Sequence, residues 1–80
     1  MRATVLVRPK EVILDPQGEA VHGSLRKLGF DVERVRIGRV IDVDLAADGP
    51  HDARVQVERM CAELLANPLI ESFEIRLEPR

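Results

Sequence analysis

The spacing of hydrophobic positions changes along the 80-residue chain, and the first half already contains two different patterns. Residues 3–7 form an almost continuous apolar run, which is typical of a central strand, and Pro9 ends it because proline cannot donate to a sheet ladder. Residues 16–28 have helical spacing, and their apolar face consists of Val21, Leu25 and Leu28. A strand followed by an amphipathic helix is therefore predicted for residues 3–28.

The second half of the chain repeats this change of spacing. Two alternating stretches, residues 31–37 and 41–45, are interrupted by Gly38, which predicts a hairpin with one solvated face. Pro50 begins a second predicted helix, and Asn67-Pro68 ends it, because the residue before a proline is pushed out of helical geometry. The predicted buried stripe of this helix is Ala53, Val57, Met60, Cys61 and Leu64. A final strand over residues 70–77 has one inward face, made of Phe73, Ile75 and Leu77.

The predicted order of elements is β-α-β-β-α-β, which belongs to the α+β class. With right-handed crossovers this order most simply gives a four-stranded antiparallel sheet with both helices on one face, the ferredoxin-like plait. Residues 1–80 are predicted to form a single domain, because the length leaves no room for a second one. The apolar second face of the central first strand predicts a partner sheet or subunit over it.

Composition makes a stable monomer unfavourable. Phe30 and Phe73 are the only aromatic residues, so the core is built from smaller aliphatic side chains. A chain of this size buries only about 60% of the surface that it exposes when unfolded, so self-association is expected. The formal charge of −2 argues against general binding of polyanions such as nucleic acids. The single Cys61 suits a reducing compartment, and residues 3–7 are too short for a signal peptide or membrane span, so a cytoplasmic protein without a membrane partner is expected.

Asp15 is the most conspicuous candidate for chemistry, because it precedes Pro16 and a nearby glycine. An acid before proline is a common helix start, since the carboxylate accepts a bond from a free backbone amide. No His, Cys or second carboxylate stands at motif spacing for catalysis, so the helix-cap interpretation is favoured. Gly18 in the first helical turn is intrinsically unfavourable, which indicates close approach of another backbone, a ligand or a partner.

The remaining candidates favour a binding module over an enzyme. Cys61 lies on the predicted apolar stripe, which favours core packing, and the two histidines lack the spacing of metal ligands. Arginines near the predicted hairpin are compatible with RNA binding, but that function relies on stacking aromatic residues, and Phe73 is assigned to the core. No catalytic, cofactor-binding or metal-binding residue is therefore predicted.

Three segments together resemble the PurS family, the small subunits of the multi-subunit phosphoribosylformylglycinamidine synthase. They are Arg8-Pro9-Lys10-x-x-x-Leu14-Asp15-Pro16-x-Gly18, Val35-Arg36-Ile37-Gly38-Arg39, and Met60-Cys61-x-x-Leu64-Leu65-Ala66-Asn67-Pro68-x-Ile70-Glu71. The resemblance runs over nearly the whole chain in order and spacing. It implies a non-catalytic part of an ATP-dependent C–N ligase of purine (IMP) biosynthesis, in which glutamine is the amido donor.

The resemblance also implies partners. The small subunit is expected to form a homodimer or higher homo-oligomer that bridges a glutaminase subunit and a synthetase subunit and supports ammonia transfer. ATP and Mg would be used by the assembled complex, with no cofactor on this chain and no activity from the chain alone. The residues expected at partner interfaces are Lys10, Asp15, Pro16, Gly18, Arg36, Gly38, Arg39, Asn67 and Pro68, although turn chemistry alone equally explains Gly38 and Asn67-Pro68.

An alternative function is a regulatory small-molecule module of the ACT type. Such modules share the plait and often pair sheet to sheet, and their effector usually lies near a glycine-bearing loop after the first strand. Gly18 fits that position.

Overall fold

The computed structural model describes residues 1–79, and its elements alternate between strands and helices. The strands are β1 (Arg2–Pro9), β2 (Arg39–Asp44) and β3 (Glu71–Glu78). The helices are α1 (Pro16–Lys27) and α2 (Pro50–Met60), and a π-helical segment, Cys61–Leu65, continues α2. No helix among residues 1–79 is both long enough and apolar enough to cross a membrane.

The three strands form an antiparallel sheet in the order β2-β1-β3, so β1 is central as predicted. Its alternate residues Ala3, Val5 and Val7 are fully buried. The register places Ile41 and Ile75 beside Val5, so the apolar positions of all three strands share one face. This face carries the hydrophobic core.

The opposite face of the sheet is mostly charged, and its apolar residues are the neighbours Leu6 of β1 and Val40 of β2, of which Val40 is 63% exposed. Thr4 donates to Asp42 at 2.9 Å, and Arg2 pairs with Asp44 at 3.0 Å, both between neighbouring strands. Arg76 and Glu74 lie on this face as well, 3.3 Å apart. Paired charges suit contact with water, so the predicted apolar second face is reduced to the patch of Leu6 and Val40.

Helix α2 covers the apolar face of the sheet. Ala53, Val57 and Cys61 follow each other at intervals of four residues and are fully buried. The π-helical turn closes with a bond from Ala66 N–H to the Cys61 carbonyl, which adds one residue to the turn. This extra residue turns Leu64 outward, so Leu64 is 84% exposed, and its predicted place in the buried stripe is wrong.

The predicted four-stranded sheet and ferredoxin-like plait are not confirmed, because residues 31–37 join no sheet. A tight hairpin at Gly38 needs positive φ angles in its turn, yet among residues 1–79 only Gly29 and Gly49 have them, at 97° and 157°. The chain instead runs through Gly38 from residues 34–37, which belong to no helix or strand, into β2. Residues 31–37 therefore extend beyond the end of the sheet rather than folding back along it.

Helix α1 does not share the position of α2, which corrects the prediction of two helices on one face. Gly18 is its one buried residue, whereas Leu28 is 74% exposed. The described chain is elongated, with principal extents of 50 × 27 × 14 Å. With α1 away from the sheet, Phe73 is only half covered at 42% exposure, so its assignment to the core is also wrong.

Candidate partner-binding site

The nine predicted interface residues converge at the end of the sheet where β1 finishes. They lie in or beside three segments, residues 10–18, 36–39 and 66–71, which we call the loop cluster. A bond of 2.9 Å from the Lys10 N–H to the Ile70 carbonyl joins the first segment to the third. Tertiary structure thus brings together residues that are up to 58 positions apart in the sequence (68 − 10 = 58).

Asp15 connects the first segment to the second. Its Oδ1 accepts from the Gly18 N–H at 3.0 Å, which confirms the predicted helix cap. Its Oδ2 accepts from the Ile37 N–H at 2.7 Å, a second role that the sequence did not indicate. These two backbone bonds, the one from Ile37 first, lower the pKa of the Asp15 carboxyl, so the side chain is ionised at neutral pH. Asp15 is only 8% exposed, and its two hydrogen bonds hold backbone groups of the same chain.

The two glycines of the cluster mark close approaches within the same chain. A Cβ at Gly18 would overlap the Val35 carbonyl oxygen, and a Cβ at Gly38 would overlap the Val7 carbonyl oxygen. The backbone that approaches Gly18 is therefore the chain's own segment before β2. Pro16 occupies the first turn of α1, where its missing N–H costs no hydrogen bond.

Arg36 holds the start of the first segment through its guanidinium. Its Nη2 donates to the Pro9 carbonyl at 3.0 Å and to the Lys10 carbonyl at 2.7 Å. Both carbonyls belong to the stretch where β1 ends and the loop begins. The guanidinium thus satisfies backbone groups that leave the sheet at this point.

Arg39, Glu71 and Asn67 form a network at the third segment. Arg39 donates to both carboxylate oxygens of Glu71, at 2.6 and 3.1 Å, and to the Leu65 carbonyl at 2.6 Å. The Asn67 N–H donates to Glu71 Oε1 at 2.7 Å. Arg39 first and the Asn67 amide second lower the pKa of the Glu71 carboxyl, and Glu71 in turn raises the pKa of Arg39.

The turn at Asn67-Pro68 closes this network. The side-chain Oδ1 of Asn67 accepts from the Leu69 N–H at 3.1 Å, which is an Asx turn. Pro68 is exposed in this turn and is positioned by its neighbours. The turn therefore presents Pro68 and Leu69 to the outside of the molecule.

A cavity of about 330 Å³ lies between the three segments. Its apolar wall consists of Ile13, Leu14, Ile37 and Ile70, and the ion pair of Arg39 and Glu71 borders it. Leu14 of this wall is 74% exposed, and Val12 and Leu69, each next in sequence to a lining residue, are 89% and 81% exposed. We call these three residues the apolar rim. Neighbouring exposed apolar side chains around a concave centre are typical of a protein-binding surface.

Glu71 and the apolar rim were missed by the prediction. Glu71 is the last residue of the third segment that carries the family resemblance, and its position shortly after Asn67-Pro68 could have indicated that it belongs to the site. Leu69 and Val12 carried no signal, because isolated apolar residues in loops are common on protein surfaces.

The chemistry elsewhere in the chain is limited. Burial raises the pKa of the Cys61 thiol, which makes it a poor nucleophile. Within residues 1–79 no three His, Cys, Asp or Glu side chains are grouped closely enough to hold a metal ion. His22 contacts the Val32 carbonyl at 2.9 Å through Nε2 and helps to hold residues 31–37 beside α1.

Comparison with protein-family models gives a match over residues 2–79 to "PurS: Phosphoribosylformylglycinamidine (FGAM) synthase". The PurS subunit of Methanocaldococcus jannaschii is 36% identical over 78 residues, which cover 96% of this chain and 94% of that protein. The PurS subunit of Synechocystis is 44% identical over 73 residues, which cover 90% of this chain and 71% of that protein.

Solved structures agree with this match. Bacillus subtilis PurS superposes with a TM-score of 0.88 at 37% identity, covering 98% of both chains. A chain of PurLQS from Thermotoga maritima superposes with a TM-score of 0.87 at 32% identity, covering 94% of this chain and 93% of that one. The similarity thus extends over the loop cluster and both helices.

Proposed function

Because this chain belongs to the PurS family of phosphoribosylformylglycinamidine (FGAM) synthase subunits, we propose that it is a non-catalytic assembly subunit of that enzyme of purine biosynthesis. In the complex it bridges the glutaminase subunit and the synthetase subunit and supports the transfer of ammonia between them. The similarity to a chain of the Thermotoga PurLQS structure supports a role within a multi-subunit assembly.

The loop cluster is the proposed docking surface for these partners. Its hydrogen-bond network fixes three segments that would otherwise be free loops, and its apolar rim stays uncovered in the chain itself. A preorganised surface loses little conformational entropy on binding, so a rigid rim gains more affinity than a flexible one. This combination of a fixed frame and an exposed apolar rim is the observation that carries the proposal.

Two further properties belong to the same proposal. ATP and Mg²⁺ bind to the synthetase subunit, and the assembled complex works in the cytoplasm. The chain associates with a second copy of itself, because the apolar face of α1 is uncovered, with Val21 and Leu28 exposed at 39% and 74%.

Reconstitution tests the proposal. The purified chain is added to the glutaminase and synthetase subunits from the same source, and FGAM formation is measured with glutamine and, separately, with ammonia. We expect FGAM formation from glutamine to require the chain. Formation from added ammonia should depend on the chain less, because free ammonia needs no transfer between subunits. The Leu69→Asp variant should lose at least tenfold in apparent affinity for the complex, since it places a charge in the rim.

Arg54→Gln is the matched control, because Arg54 is exposed on α2 away from the loop cluster. It should restore activity as well as the unmodified chain does. Full glutamine-dependent activity of the two large subunits without any small subunit would overturn the assembly role. If the Leu69→Asp variant restored activity as well as the unmodified chain, the docking surface would have to lie outside the loop cluster.

A further inference from the structure

A second cavity, which we call the arginine pocket, lies where β1 ends and β2 begins. Its volume is about 310 Å³, and Arg8, Arg36 and Arg39 are among the residues that line it. Within residues 1–79, no Asp or Glu side chain belongs to this lining. A concave site whose only charged groups are cations is suited to binding an anion.

Arg36 is fixed in place and keeps its charge. Its Nη2 donates to the Pro9 and Lys10 carbonyls, which are neutral partners. The carboxylates of Glu11 and Asp15 are near enough to interact with this charge, yet their own hydrogen bonds go to another arginine and to backbone amides. The Nε and Nη1 groups of Arg36 have no hydrogen-bond acceptor among residues 1–79, so they can donate to a ligand.

Arg8 supplies a second cation. Its Nη1 is 3.9 Å from Glu74 Oε2, which is too far for a hydrogen bond, and the two side chains are 61% and 50% exposed. An exposed contact at this distance contributes little, so Arg8 can turn toward an anion at small cost. Arg39 differs, because its guanidinium is bound to both carboxylate oxygens of Glu71. Two guanidinium groups are therefore available in the pocket.

The patch of Leu6 and Val40 gives the pocket an apolar wall. Both residues lie on the face of the sheet opposite to the hydrophobic core, and Val40 is exposed there. Binding sites commonly combine apolar walls with a few polar groups that fix the orientation of the ligand. The pocket thus suits a ligand with an anionic group and a less polar remainder.

We propose that the arginine pocket binds a phosphate group, carried by a phosphate monoester or free as inorganic phosphate. A phosphate monoester has a charge of about −1.5 to −2 near pH 7, which matches two guanidinium groups. A carboxylate has a single charge, and Arg39 alone holds one with both oxygens of Glu71. Planar guanidinium groups donate to phosphate oxygens in pairs, which favours arginine at such a site. The pocket lies within one chain, so this site is independent of the assembly role.

Titration of the full chain with inorganic phosphate tests the site. Chloride keeps the ionic strength constant, and the backbone amide signals are followed by NMR. We expect saturable shifts concentrated at residues 6–8 and 38–40, which line the pocket. Acetate, which has one charge, should bind at least about tenfold more weakly than phosphate.

Titration with AMP distinguishes the two sources of the phosphate group. The base of AMP can cover the patch of Leu6 and Val40, so a site for a phosphate monoester should bind AMP at least about threefold more tightly than inorganic phosphate. Equal affinity would identify inorganic phosphate as the ligand.

Two arginine variants test the cations. Arg8→Gln removes the charge of an exposed side chain and should weaken phosphate binding about tenfold. Arg36→Lys keeps the charge but loses the planar donor pair, so it should weaken phosphate binding about fivefold. Arg54→Gln removes one charge from the exposed side of α2 and is the matched control. This control should bind phosphate as tightly as the unmodified chain.

Val40→Asp tests the pocket without altering an arginine. The exposed position tolerates a polar side chain, and the new carboxylate should pair with the arginines and repel phosphate, which lowers the affinity at least about tenfold. Val40→Asn has nearly the same shape as the Asp variant and no charge. It should bind inorganic phosphate within about twofold of the unmodified chain.

Three results would overturn the phosphate site. The first is the absence of saturable shifts at constant ionic strength. The second is equal binding of acetate and phosphate, which would indicate a carboxylate of a partner protein as the occupant. The third is unchanged phosphate binding by both Arg8→Gln and Val40→Asp, because phosphate would then bind outside the arginine pocket.

Discussion

The two helices of this chain resemble each other in sequence but differ in what covers them. Helix α1 has 12 residues and α2 has 11, and each has an apolar stripe and begins at a proline. Helix α2 buries Ala53 and Val57 completely against the sheet, whereas α1 buries only Gly18. An amphipathic pattern therefore predicts that one face of a helix packs against other apolar groups, but it does not show whether those groups belong to the same chain.

This difference divides the chain into a self-sufficient part and a dependent part. The sheet with α2 has a core of its own. Helix α1 instead leaves Val21 and Leu28 exposed, and the proposed second copy would cover them. Substitutions in the two parts should therefore respond differently to protein concentration, since coupling to association makes stability depend on it.

The largest expected effect comes from the core under α2. Val57→Ala removes two buried methyl groups and should cost about 2 kcal/mol in the free energy of unfolding. Urea unfolding at two protein concentrations measures it, and the loss should be the same at both. A loss that disappears at high concentration would mean that α2 also depends on the second copy.

Leu28→Ser probes the dependent part. In an isolated chain this exposed leucine contributes little, so the substitution should leave a monomeric chain almost unchanged. In the dimer it should cost about 1–2 kcal/mol, because the apolar side chain loses its cover on the second copy. The gap between the denaturation midpoints of the variant and the unmodified chain should therefore close on dilution, because the unmodified chain has more association-linked stability to lose. The same midpoint shift at every concentration would contradict the comparison.

Glu71→Gln probes the frame of the loop cluster, and its expected effect is smaller. It removes the charge that holds Arg39, so we expect a loss of about 1 kcal/mol, limited by the partial exposure of the ion pair. The free energy of binding to the large subunits should decrease more than the free energy of unfolding, because Arg39 at the border of the cavity loses its charged partner. If the variant binds the large subunits as tightly as the unmodified chain but unfolds more easily, Glu71 contributes to folding alone.

The pH dependence of unfolding gives the finest distinction. The folded pKa values of Asp15 and Glu71 are lowered from 3.8 and 4.5, so their ionised forms favour the folded state. Their contribution is fully present above those values and is lost as the pH falls through the lowered folded values. Asp15→Asn and Glu71→Gln should each flatten the acid side of the stability curve. Unchanged acid sensitivity in both variants would place its cause outside the loop cluster.

Sequence reasoning predicted the local elements better than the arrangement of the sheet. The helix cap at Asp15 is local chemistry, and both helices and the central strand follow from short-range spacing. The hairpin at Gly38 was wrong because alternation predicts extended backbone but carries no information about where its partner strand lies. Leu64 was misplaced because a π-helical turn changes the period after Cys61, and no residue type announces such a turn.

The two helices, the central strand, the cap at Asp15 and the family were determined by the sequence itself, since each depends on neighbouring residues or on motifs in order. The second bond of Asp15 to Ile37, the Arg39–Glu71 network and the cavity between three distant segments were decided by tertiary structure. Their partners are 22 and 32 residues apart, and only the folded sheet and helix bring such groups within hydrogen-bond distance.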